Sequence, residues 1–483
     1  MRESKKALVI GAGPAGLTAA DALTKEGYYV TLLERDKVVG GLSKTLDYKG
    51  CRFDIGPHHF ITNHPEIERE WKHLMGNDCL ERKRFTRLYY RKKFFYYPLR
   101  PLNAIFGLGL WECITCTLSY FKAQLFPIKP VVTFRDFIVN RFGIRLFSHF
   151  FKTYTEKQWG ISCDSITSEW ASQRIKSFSL SKAIVQAFFA RWVKKNTANE
   201  MFDAKSDIFY YPALGAGTLW DRFITQIPKK RLHLRLQEEV VSIEHDGNRL
   251  RAVMTHEVSS SKTSTSAYAQ HLHTYPADSF FSTMPLRNLV LALDPCAPEA
   301  IIAAARRLVY RDLITVNLII QKQALSPDHW LYIHDKDVRL ARINNINNFS
   351  IKMVDAPDHT ALTLEYPAFT GDALWASSDD VLIKHAKNDL EKIGIVPGKL
   401  VLDGMVLRSP EAYPVYDQQY KQNLTCVLDY LAHFENLFLM GRNGLHTYIN
   451  MDVAMISARQ AVNRAVAQHA TCQTNKGHAA SVM

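Results

Sequence analysis

The sequence has few of the features that mark secreted, repetitive or nucleic-acid-binding proteins. Its eight cysteines are scattered over 483 residues, and no internal repeat is visible. Cys113 and Cys116 have redox-motif spacing, but their stretch is apolar, helix-like and without neighbouring His or Cys ligands. We therefore predict packed thiols there, and neither a disulfide nor a metal site. No nucleic-acid-binding module accompanies the net charge of +13, so charge alone does not support that partner.

Long uninterrupted apolar runs are also missing. The most apolar stretch, residues 102–128, is broken by Glu112 and Lys122, which makes it a poor membrane-spanning helix. It fits an amphipathic helix on a membrane surface or over a substrate cleft, or else an ordinary core helix beside a solvated basic face. The polar residues 1–6 run straight into an apolar strand without a secretory signal. We expect a cytoplasmic protein, with peripheral contact of 102–128 with the inner face of a membrane as an alternative.

The strongest pattern that is present is a strand–glycine–helix–strand–acid series. The apolar run Ala7–Ile10 predicts a buried parallel strand, and Gly11, Gly13 and Gly16 follow in G-x-G-x-x-G spacing. In this spacing the glycines allow a tight turn, close approach to a pyrophosphate and close helix–strand packing, respectively. The next predicted strand ends at Glu34, whose carboxylate can accept a hydrogen bond from a ribose hydroxyl. The helix that follows the glycines offers free N–H groups at its N-terminus to the phosphates. The series predicts a dinucleotide site.

The residues from Glu34 to Ser43 then resemble the flavin-binding extension of a large family. That family contains amine oxidases, protoporphyrinogen oxidase, phytoene desaturases and UDP-galactopyranose mutase. The match has E-R-x-x-x-x-G-G-x-S spacing, with Arg35, Gly40 and Gly41 in place. The resemblance implies FAD, with the two glycines letting the chain pass close to it. From the residues alone, an NAD enzyme with an ordinary loop remains the alternative.

The remaining pattern predicts an α/β fold. We expect a doubly wound, Rossmann-type FAD-binding domain, an antiparallel-sheet substrate domain and an inserted helical region. Aromatic residues recur at three- and four-residue intervals in the helical region, as in packed helices. The predicted layout is discontinuous: 1–78, 205–285 and 405–470 form the FAD-binding domain, 80–200 a helical substrate or lid region, 286–404 the substrate-binding sheet domain, and 471–483 a flexible tail.

Further motifs, in matching order over nearly the whole chain, resemble the UDP-galactopyranose mutase branch of this family. Phe53–Phe60 resembles its F-D-x-G-G-H-x-F segment, although Pro57 replaces the second glycine. The other matching segments are Tyr97–Leu99, Tyr154–Trp159 with Trp170, Tyr211–Trp220, Ser282–Pro285, Gly441–Arg442 and Asn450–Asp452.

The resemblance also implies a chemistry and residues for it. In the mutases the reduced flavin attacks the sugar's anomeric carbon and a nucleotide diphosphate leaves, which calls for cations against the leaving group. Arg174 is the first candidate for that clamp and Arg342 the second. Tyr413 and Tyr416 resemble tyrosines that reach phosphate oxygens, and Tyr366 is a further candidate. The alternatives are a solvated helix residue for Arg174 and half-buried core residues for the tyrosines.

His58 is the candidate on the loop that faces the flavin ring, and imidazole suits proton movement near neutral pH. The neighbouring His59 leaves open which ring points inward, a structural loop histidine is the alternative, and His446 is a weaker candidate. The complete set of residues predicted to contact the cofactor is Gly11, Gly13, Pro14, Ala15, Gly16, Glu34, Arg35, Gly40, Gly41, Leu42, Ser43, Gly56, His58, Val240, Gly441, Arg442, Met451 and Asp452.

The sequence therefore favours mutase-like flavin catalysis on a sugar nucleotide or a related glycosyl substrate. Arg100–Asn103 stands where eukaryotic mutases have a uridine contact, so a lipid-linked sugar also fits. The alternative is an FAD-dependent oxidoreductase of the amine oxidase, protoporphyrinogen oxidase or desaturase type, which removes two electrons from a small or lipophilic substrate. We expect a small-molecule substrate that is anionic or glycosyl, and no nucleic acid; the oligomeric state stays open.

Overall fold

The computed structural model describes residues 5–56, 58–97, 99–174, 208–258 and 272–480, without the side chains of 101, 173, 174 and 471–480. A five-stranded sheet lies at its centre, and all four strand pairings in it are parallel. Its order is β20-β13-β1-β2-β9, where the strands are β1 (Lys6–Ile10), β2 (Tyr29–Glu34), β9 (Leu232–Leu236), β13 (Ser279–Ser282) and β20 (Leu437–Leu439).

Two larger antiparallel sheets accompany it, each with one parallel pairing. The four-stranded sheet has the order β12-β11-β10-β14, with β10 (Glu238–His245), β11 (Leu250–Glu257), β12 (Leu272–Pro276) and β14 (Leu293–Asp294). The seven-stranded sheet has the order β19-β15-β18-β17-β16-β6-β7, with β6 (Thr86–Tyr90), β7 (Lys93–Tyr96), β15 (Tyr310–Ile320), β16 (Trp330–Ile333), β17 (Arg342–Asn345), β18 (Thr360–Ala368) and β19 (Val401–Pro414). Two antiparallel pairs complete the sheets: the hairpin of β3 (Thr45–Tyr48) with β4 (Cys51–Asp54), and the long-range pair of β5 (Cys79–Lys83) with β8 (Ile208–Pro212).

The α-helices lie around these sheets. They are α1 (Pro14–Lys25), α2 (Pro65–Met75), α3 (Pro101–Leu108), α4 (Leu110–Leu125), α5 (Phe134–Phe142), α6 (Ile144–Leu146), α7 (Thr153–Trp159), α8 (Ser168–Arg174), α9 (Gly217–Gln226), α10 (Leu286–Leu291), α11 (Glu299–Arg306), α12 (Ile346–Phe349), α13 (Ala373–Ala376), α14 (Asp379–Lys392), α15 (Tyr420–Leu431), α16 (Gly441–Gly444) and α17 (Met451–Ala480). A π-helix, Phe147–Lys152, joins α6 to α7, and short 3₁₀ turns lie at Gly41–Ser43, Gly76–Asp78, Ile351–Met353 and Gly398–Leu400.

Alternation along the central strands explains the layering. In β1, Ala7 and Val9 pack into a core with α1, α9 and α17, whereas Leu8 and Ile10 face a second core with α10, α11 and α15. Successive side chains of a strand point to opposite faces, so a strand buried on both sides reads as a continuous apolar run. This is the doubly wound arrangement that the sequence predicts.

The predicted boundaries need three corrections. The region 80–200 begins with strands, because β6 and β7 bury Leu88 and Phe95 and extend the seven-stranded sheet through a parallel pairing of β6 with β16. That sheet also continues through β19 to Pro414, beyond the predicted end of the substrate domain at residue 404. Residues 286–309, which were predicted to belong to the substrate domain, pack instead against the central sheet. The segment 471–480, predicted as a flexible tail, continues helix α17; residues 481–483 lie outside the described residues.

Candidate active site

One continuous cavity of about 1900 Å³ runs between the central sheet, the seven-stranded sheet and helices α3–α5. Ligand pockets of single small molecules are typically about 300–1,000 Å³. The cavity therefore has room for a large ligand and a second molecule beside it. We divide it into a dinucleotide end, a polar middle and an apolar arm.

Two glycine-rich turns form the dinucleotide end. The first follows β1, and Gly11 there has φ +92° and donates its N–H to the Leu33 carbonyl at 2.7 Å. The second contains Gly41, with φ +55°, where an added Cβ would lie only 3.0 Å from the Gly13 Cα. The turns therefore approach each other only because neither glycine has a side chain. A Cβ on Gly16 would lie 1.7 Å from the Gly11 oxygen, which is the close helix–strand packing predicted for this position.

Glu34 lies at the end of β2, where it organises the same turns. Its carboxylate accepts the Ala12 N–H at 2.7 Å and the Asp36 N–H at 2.9 Å. Burial raises the pKa of Glu34, and these two hydrogen bonds oppose the rise. A carboxylate oxygen has more than one acceptor site, so Glu34 keeps capacity for a ribose hydroxyl from the cavity that it lines.

The residues predicted to contact the cofactor lie at or close to the cavity wall in the described part of the chain. Most of them line it: Gly11, Gly13, Pro14, Ala15, Glu34, Arg35, Gly41, Leu42, Ser43, Gly56, His58, Val240, Gly441, Arg442 and Met451. Three do not. Gly16 and Gly40 lie behind the turns, with the Gly40 N–H on the Ala12 carbonyl, and Asp452 is buried in the first turn of α17. The N-terminal N–H groups of α1, the glycine turns and Glu34 fit a dinucleotide cofactor.

His58 begins the polar middle of the cavity. Its Nδ1 lies 3.2 Å from the Gly56 carbonyl, so the Nδ1–H donates there and leaves Nε2 as an acceptor. Burial lowers the pKa of His58 to about 3, and the positive charge of Arg442 and the neighbouring His59 add to the effect. The imidazole is therefore neutral at physiological pH and can accept a hydrogen bond. His59 also lines the cavity and stacks on Trp330, with ring centroids 5.1 Å apart, so both rings reach the wall.

Arg342 lies on β17, where its guanidinium faces the cavity. It donates in a two-pronged contact to Glu365, from Nε to Oε1 at 3.0 Å and from Nη2 to Oε2 at 2.6 Å. Asn344 donates to the same carboxylate at 2.7 Å. The Glu365 side chain is 0% exposed and that of Arg342 is 16% exposed, so this carboxylate neutralises most of the charge that Arg342 brings.

Aromatic rings stand beside this ion pair. Tyr413 and Tyr448 stack with centroids 5.6 Å apart and an interplanar angle of 17°. Trp159 packs edge-on against both, with each centroid 6.3 Å away. Arg442 lies over the Tyr448 ring at 4.8 Å and uses its Nε and Nη2 on the Ile449 carbonyl. These contacts fix a rigid, water-poor wall next to His58.

Two predicted tyrosines lie elsewhere. Tyr366 follows Glu365 on β18, so alternation turns it to the opposite face of the sheet, where its hydroxyl donates to Asp389 at 3.1 Å beneath α14. Tyr416 is buried outside the cavity wall, and its hydroxyl accepts the Tyr448 N–H at 2.6 Å. Tyr366 is thus removed from the candidate site, and Tyr416 acts on it only through Tyr448.

Arg174, the first candidate for the clamp on the leaving group, is described only by its backbone. Arg174 ends helix α8, but its side chain lies outside the described residues. His446, the weaker histidine candidate, is fully buried against the Tyr310 ring, with centroids 4.8 Å apart, and is not in the described cavity wall.

The apolar arm leads from the polar middle to helices α3 and α4. Its wall is made of aliphatic and aromatic side chains with few polar groups: Leu88, Ile105, Leu108, Cys113, Ile114, Cys116, Leu118, Phe121, Phe134, Phe142, Leu146, Phe150 and Phe151. Cys113 and Cys116 are free thiols that line this arm; Cys116 is buried as predicted, whereas Cys113 is only half-buried and is not packed in a core.

A group of potential metal ligands lies behind the arm, although the sequence analysis expected no ligand near Cys116. One atom each of Glu112, Cys116 and His149 lies within 4.8 Å of the others. Glu112 accepts from His149 Nε2 at 2.8 Å and from Arg145 Nη2 at 2.8 Å, so the protein itself already satisfies this carboxylate.

Comparisons with known proteins agree with this geometry. Residues 9–74 match the family model described as "NAD(P)-binding Rossmann-like domain". A solved structure of reduced UDP-galactopyranose mutase superposes with a TM-score of 0.79 at 18% identity, covering 96% of each chain. The chain therefore has the fold of that mutase, which confirms the predicted fold class. The predicted family resemblance is also confirmed, and the comparisons agree with FAD as the expected cofactor.

Curated relatives of this superfamily match shorter parts of the chain. A 1-hydroxycarotenoid 3,4-desaturase from Flavobacterium sp. (strain P99-3) is 37% identical over 79 residues, which is 14% of this chain and 16% of the relative. A protein named "Probable UDP-galactopyranose mutase" from Klebsiella pneumoniae is 27% identical over 168 residues, 33% of this chain and 42% of the relative. The chain is thus similar to both redox enzymes and mutases, and matches less than half the length of either relative.

Several site residues were missed by sequence reasoning. Trp330, Tyr332 and His334 line the cavity from one face of β16 and the residue after it, and Glu365 binds Arg342. The alternation in Trp330–His334 was a signal for the first three. Glu365 had no such signal, because its partner lies on a neighbouring strand.

Proposed function

We propose that this flavoenzyme is an FAD-dependent oxidoreductase that removes two electrons from a lipophilic or amphipathic substrate. The observation that carries the proposal is the apolar arm. It belongs to the same continuous cavity as the dinucleotide end, and the wall of that cavity also contains His58 and the stacked pair Tyr413–Tyr448. A substrate with a long apolar part would fill the arm and present its reacting carbon in the polar middle.

The charges of the polar middle favour this assignment over a clamp for a diphosphate. Glu365 neutralises Arg342, and Arg442 donates to the backbone carbonyls of Ile449 and Ala412. A group that binds a diphosphate needs donors and net positive charge that are free to face it. In Arg342 and Arg442 most of these donors already bind protein acceptors, and the charge of Arg342 is neutralised as well, whereas Arg442 keeps its charge.

The residues of the site have roles that suit hydride removal. The dinucleotide end would hold FAD, which supplies a two-electron acceptor when bound. The aromatic wall excludes water, and the neutral His58 offers an acceptor nitrogen at the junction. A hydride leaves the substrate carbon, a proton leaves to solvent, and the substrate gains a double bond. The desaturase name of one relative belongs to this reaction class.

Anaerobic flavin reduction tests the proposal. The purified holoprotein is mixed with conjugated polyenes, porphyrinogens, hydrophobic amines and UDP-sugars, and the flavin absorbance is followed. We expect bleaching by a member of the first three groups and none by UDP-sugars. Failure of all three groups, together with turnover of a UDP-sugar by the dithionite-reduced protein, would reject the oxidation.

A pair of variants ties the activity to the arm. Thr117 lines the arm on α4, whereas Thr115 lies on the same helix outside the described wall. Both hydroxyls donate to a helix carbonyl at 2.9 Å, so the two positions are matched. Thr117→Trp should fill the arm and raise KM for a long substrate at least tenfold, with FAD content unchanged. Thr115→Trp should behave as wild type, and equal KM values in both variants would contradict the assignment.

Redox-neutral, mutase-like catalysis on a glycosyl substrate is the second candidate. The superposition on reduced UDP-galactopyranose mutase and the polar group formed by His58, Arg342, Tyr413 and Tyr448 favour it. It predicts conversion of a glycosyl substrate only after flavin reduction, with no net consumption of reductant.

A further inference from the structure

Helices α3 and α4 expose an unusual amount of apolar surface. Large hydrophobic side chains are more than half exposed along both helices, including Phe106 at 81%, Trp111 at 76% and Leu125 at 74%. The complete set is Leu102, Phe106, Leu110, Trp111, Leu118, Phe121, Leu125 and Phe126. Aromatic side chains bury about 150–250 Å² each, so this surface reaches roughly 1000 Å². Continuous apolar patches on monomeric proteins are normally about 300–600 Å².

On α4 the exposed apolar side chains lie along one face of the helix. Trp111, Ile114, Leu118, Phe121 and Leu125 follow at three- and four-residue steps, so they form one outward face. The inward face of α4 is also apolar or weakly polar, with Cys116, Tyr120 and Ala123 buried. Glu112 and Lys122 are the only charged residues of α4, so much of both faces is apolar, as in helices that lie against lipid.

The two helices do not form a single straight membrane-spanning helix. Within the described residues no single helix is long and apolar enough to cross a bilayer. Residues 102–108 and 110–125 satisfy the length and composition requirements only as a pair, and the pair is bent by 113°. Helix α4 is about 24 Å long, whereas the hydrocarbon core of a bilayer is about 30 Å thick. The pair is suited to lie in the interface of one leaflet.

The charges around the apolar surface identify its partner. Residues 82–130 contain ten Lys and Arg, of which Arg87 is paired with Asp328. The same range contains one acidic residue, Glu112, which accepts from Arg145 and His149. The exposed turn Arg91–Lys93 touches α3 directly, since Lys93 Nζ donates to the Gly107 carbonyl at 3.0 Å. Basic side chains beside an apolar face complement anionic lipid headgroups. A symmetric dimer through the same surface would bring two basic rims together.

The cavity opens at this surface. Leu110, Ile114, Leu118 and Phe121 are exposed and at the same time line the apolar arm. We propose that α3 and α4 dock the protein onto the surface of an anionic bilayer, with the mouth of the arm in the acyl region of one leaflet. Docking is independent of the proposed oxidation, whereas delivery of a lipophilic substrate through the mouth rests on it.

Vesicle binding by the FAD-loaded protein tests the docking. Flotation with phosphatidylcholine vesicles containing phosphatidylglycerol is compared with phosphatidylcholine alone. The triple variant F106S/W111S/L125S removes three exposed side chains that lie outside the described cavity wall. The matched control, I351S/V381S/L402S, removes three exposed apolar side chains elsewhere. We expect binding to the anionic vesicles that falls at least tenfold in the first variant and stays unchanged in the control.

Three results would overturn the docking: wild-type protein that does not float with anionic vesicles, equal binding of the two triple variants, or equal binding to zwitterionic and anionic vesicles. A wild-type dimer in lipid-free buffer that dissociates in F106S/W111S/L125S would instead assign the surface to a second copy of the chain. Unchanged FAD content and circular dichroism show that both variants fold. Docking with no flavin reduction by any lipophilic substrate would leave docking intact and reject only the oxidation.

Discussion

Replacement of Gly41 by alanine would place a methyl group between the two turns of the dinucleotide end. The added Cβ would lie 3.0 Å from the Gly13 Cα, and the residue would have to keep φ at +55°. A left-handed conformation costs an ordinary L residue about 1–2 kcal/mol. Overpacking typically costs about 1–3 kcal/mol, and the apoprotein can relieve it by moving the second turn away from the first. FAD binding requires that movement to be reversed.

We therefore expect Gly41→Ala to affect cofactor binding more than folding. The apoprotein should lose about 1–2 kcal/mol of unfolding free energy. The affinity for FAD should fall about 5- to 150-fold, which corresponds to the overpacking cost. Urea unfolding of the apoprotein measures the first quantity, and titration with FAD followed by flavin fluorescence measures the second.

Gly394→Ala is the matched control. Gly394 has φ +71° in the loop after α14, and no atom lies within 4 Å of its added Cβ. This variant should show a similar loss of unfolding free energy and the FAD affinity of the wild type. Equal FAD affinity in the two variants would refute the argument that contact between the turns shapes the cofactor site.

Two further predictions concern buried polar groups. Burial raises the pKa of Asp54 from 3.8 to about 6, although hydrogen bonds from Thr45, Tyr211 and the Ala216 N–H oppose the rise. The stabilisation that the protonated Asp54 contributes is therefore complete below pH 4 and is lost as the pH rises through 6. Relative to Asp54→Asn, the wild type should lose about 3 kcal/mol of unfolding free energy between pH 4 and pH 7, and a flat difference in urea titrations across that range would contradict this. Tyr366→Phe should cost about 1–2 kcal/mol of unfolding free energy through its lost bond to Asp389 and leave flavin reduction kinetics unchanged, whereas altered kinetics would return Tyr366 to the site.

The dinucleotide end was predictable from the sequence because its causes are local. Gly11, Gly13 and Gly16 lie within six residues, and each role depends on the turn between one strand and the next helix. Glu34 ends the following strand, and parallel pairing of β1 with β2 carries it back to the same turn. A short βαβ unit leaves the chain few other ways to satisfy these residues.

The polar middle was only partly predictable. His58, Arg342 and Tyr413 were identified and reach the cavity. The sequence did not show which of the neighbours Glu365 and Tyr366 faces the cavity, because the face that each side chain takes follows from the register of β18 against β17. Whether Arg342 presents a free charge depends on the same register, which places Glu365 opposite it.

The cofactor-binding unit could thus be predicted from local sequence, because its residues interact across one turn and two adjacent strands. The surroundings of this unit depend on tertiary contacts. The pairing of β6 with β16 joins segments about 240 residues apart, and it attaches the α3–α4 region to the substrate sheet. The apolar arm and the exposed face of α4 result from that placement, because burial of a side chain depends on packing partners that the local pattern does not specify.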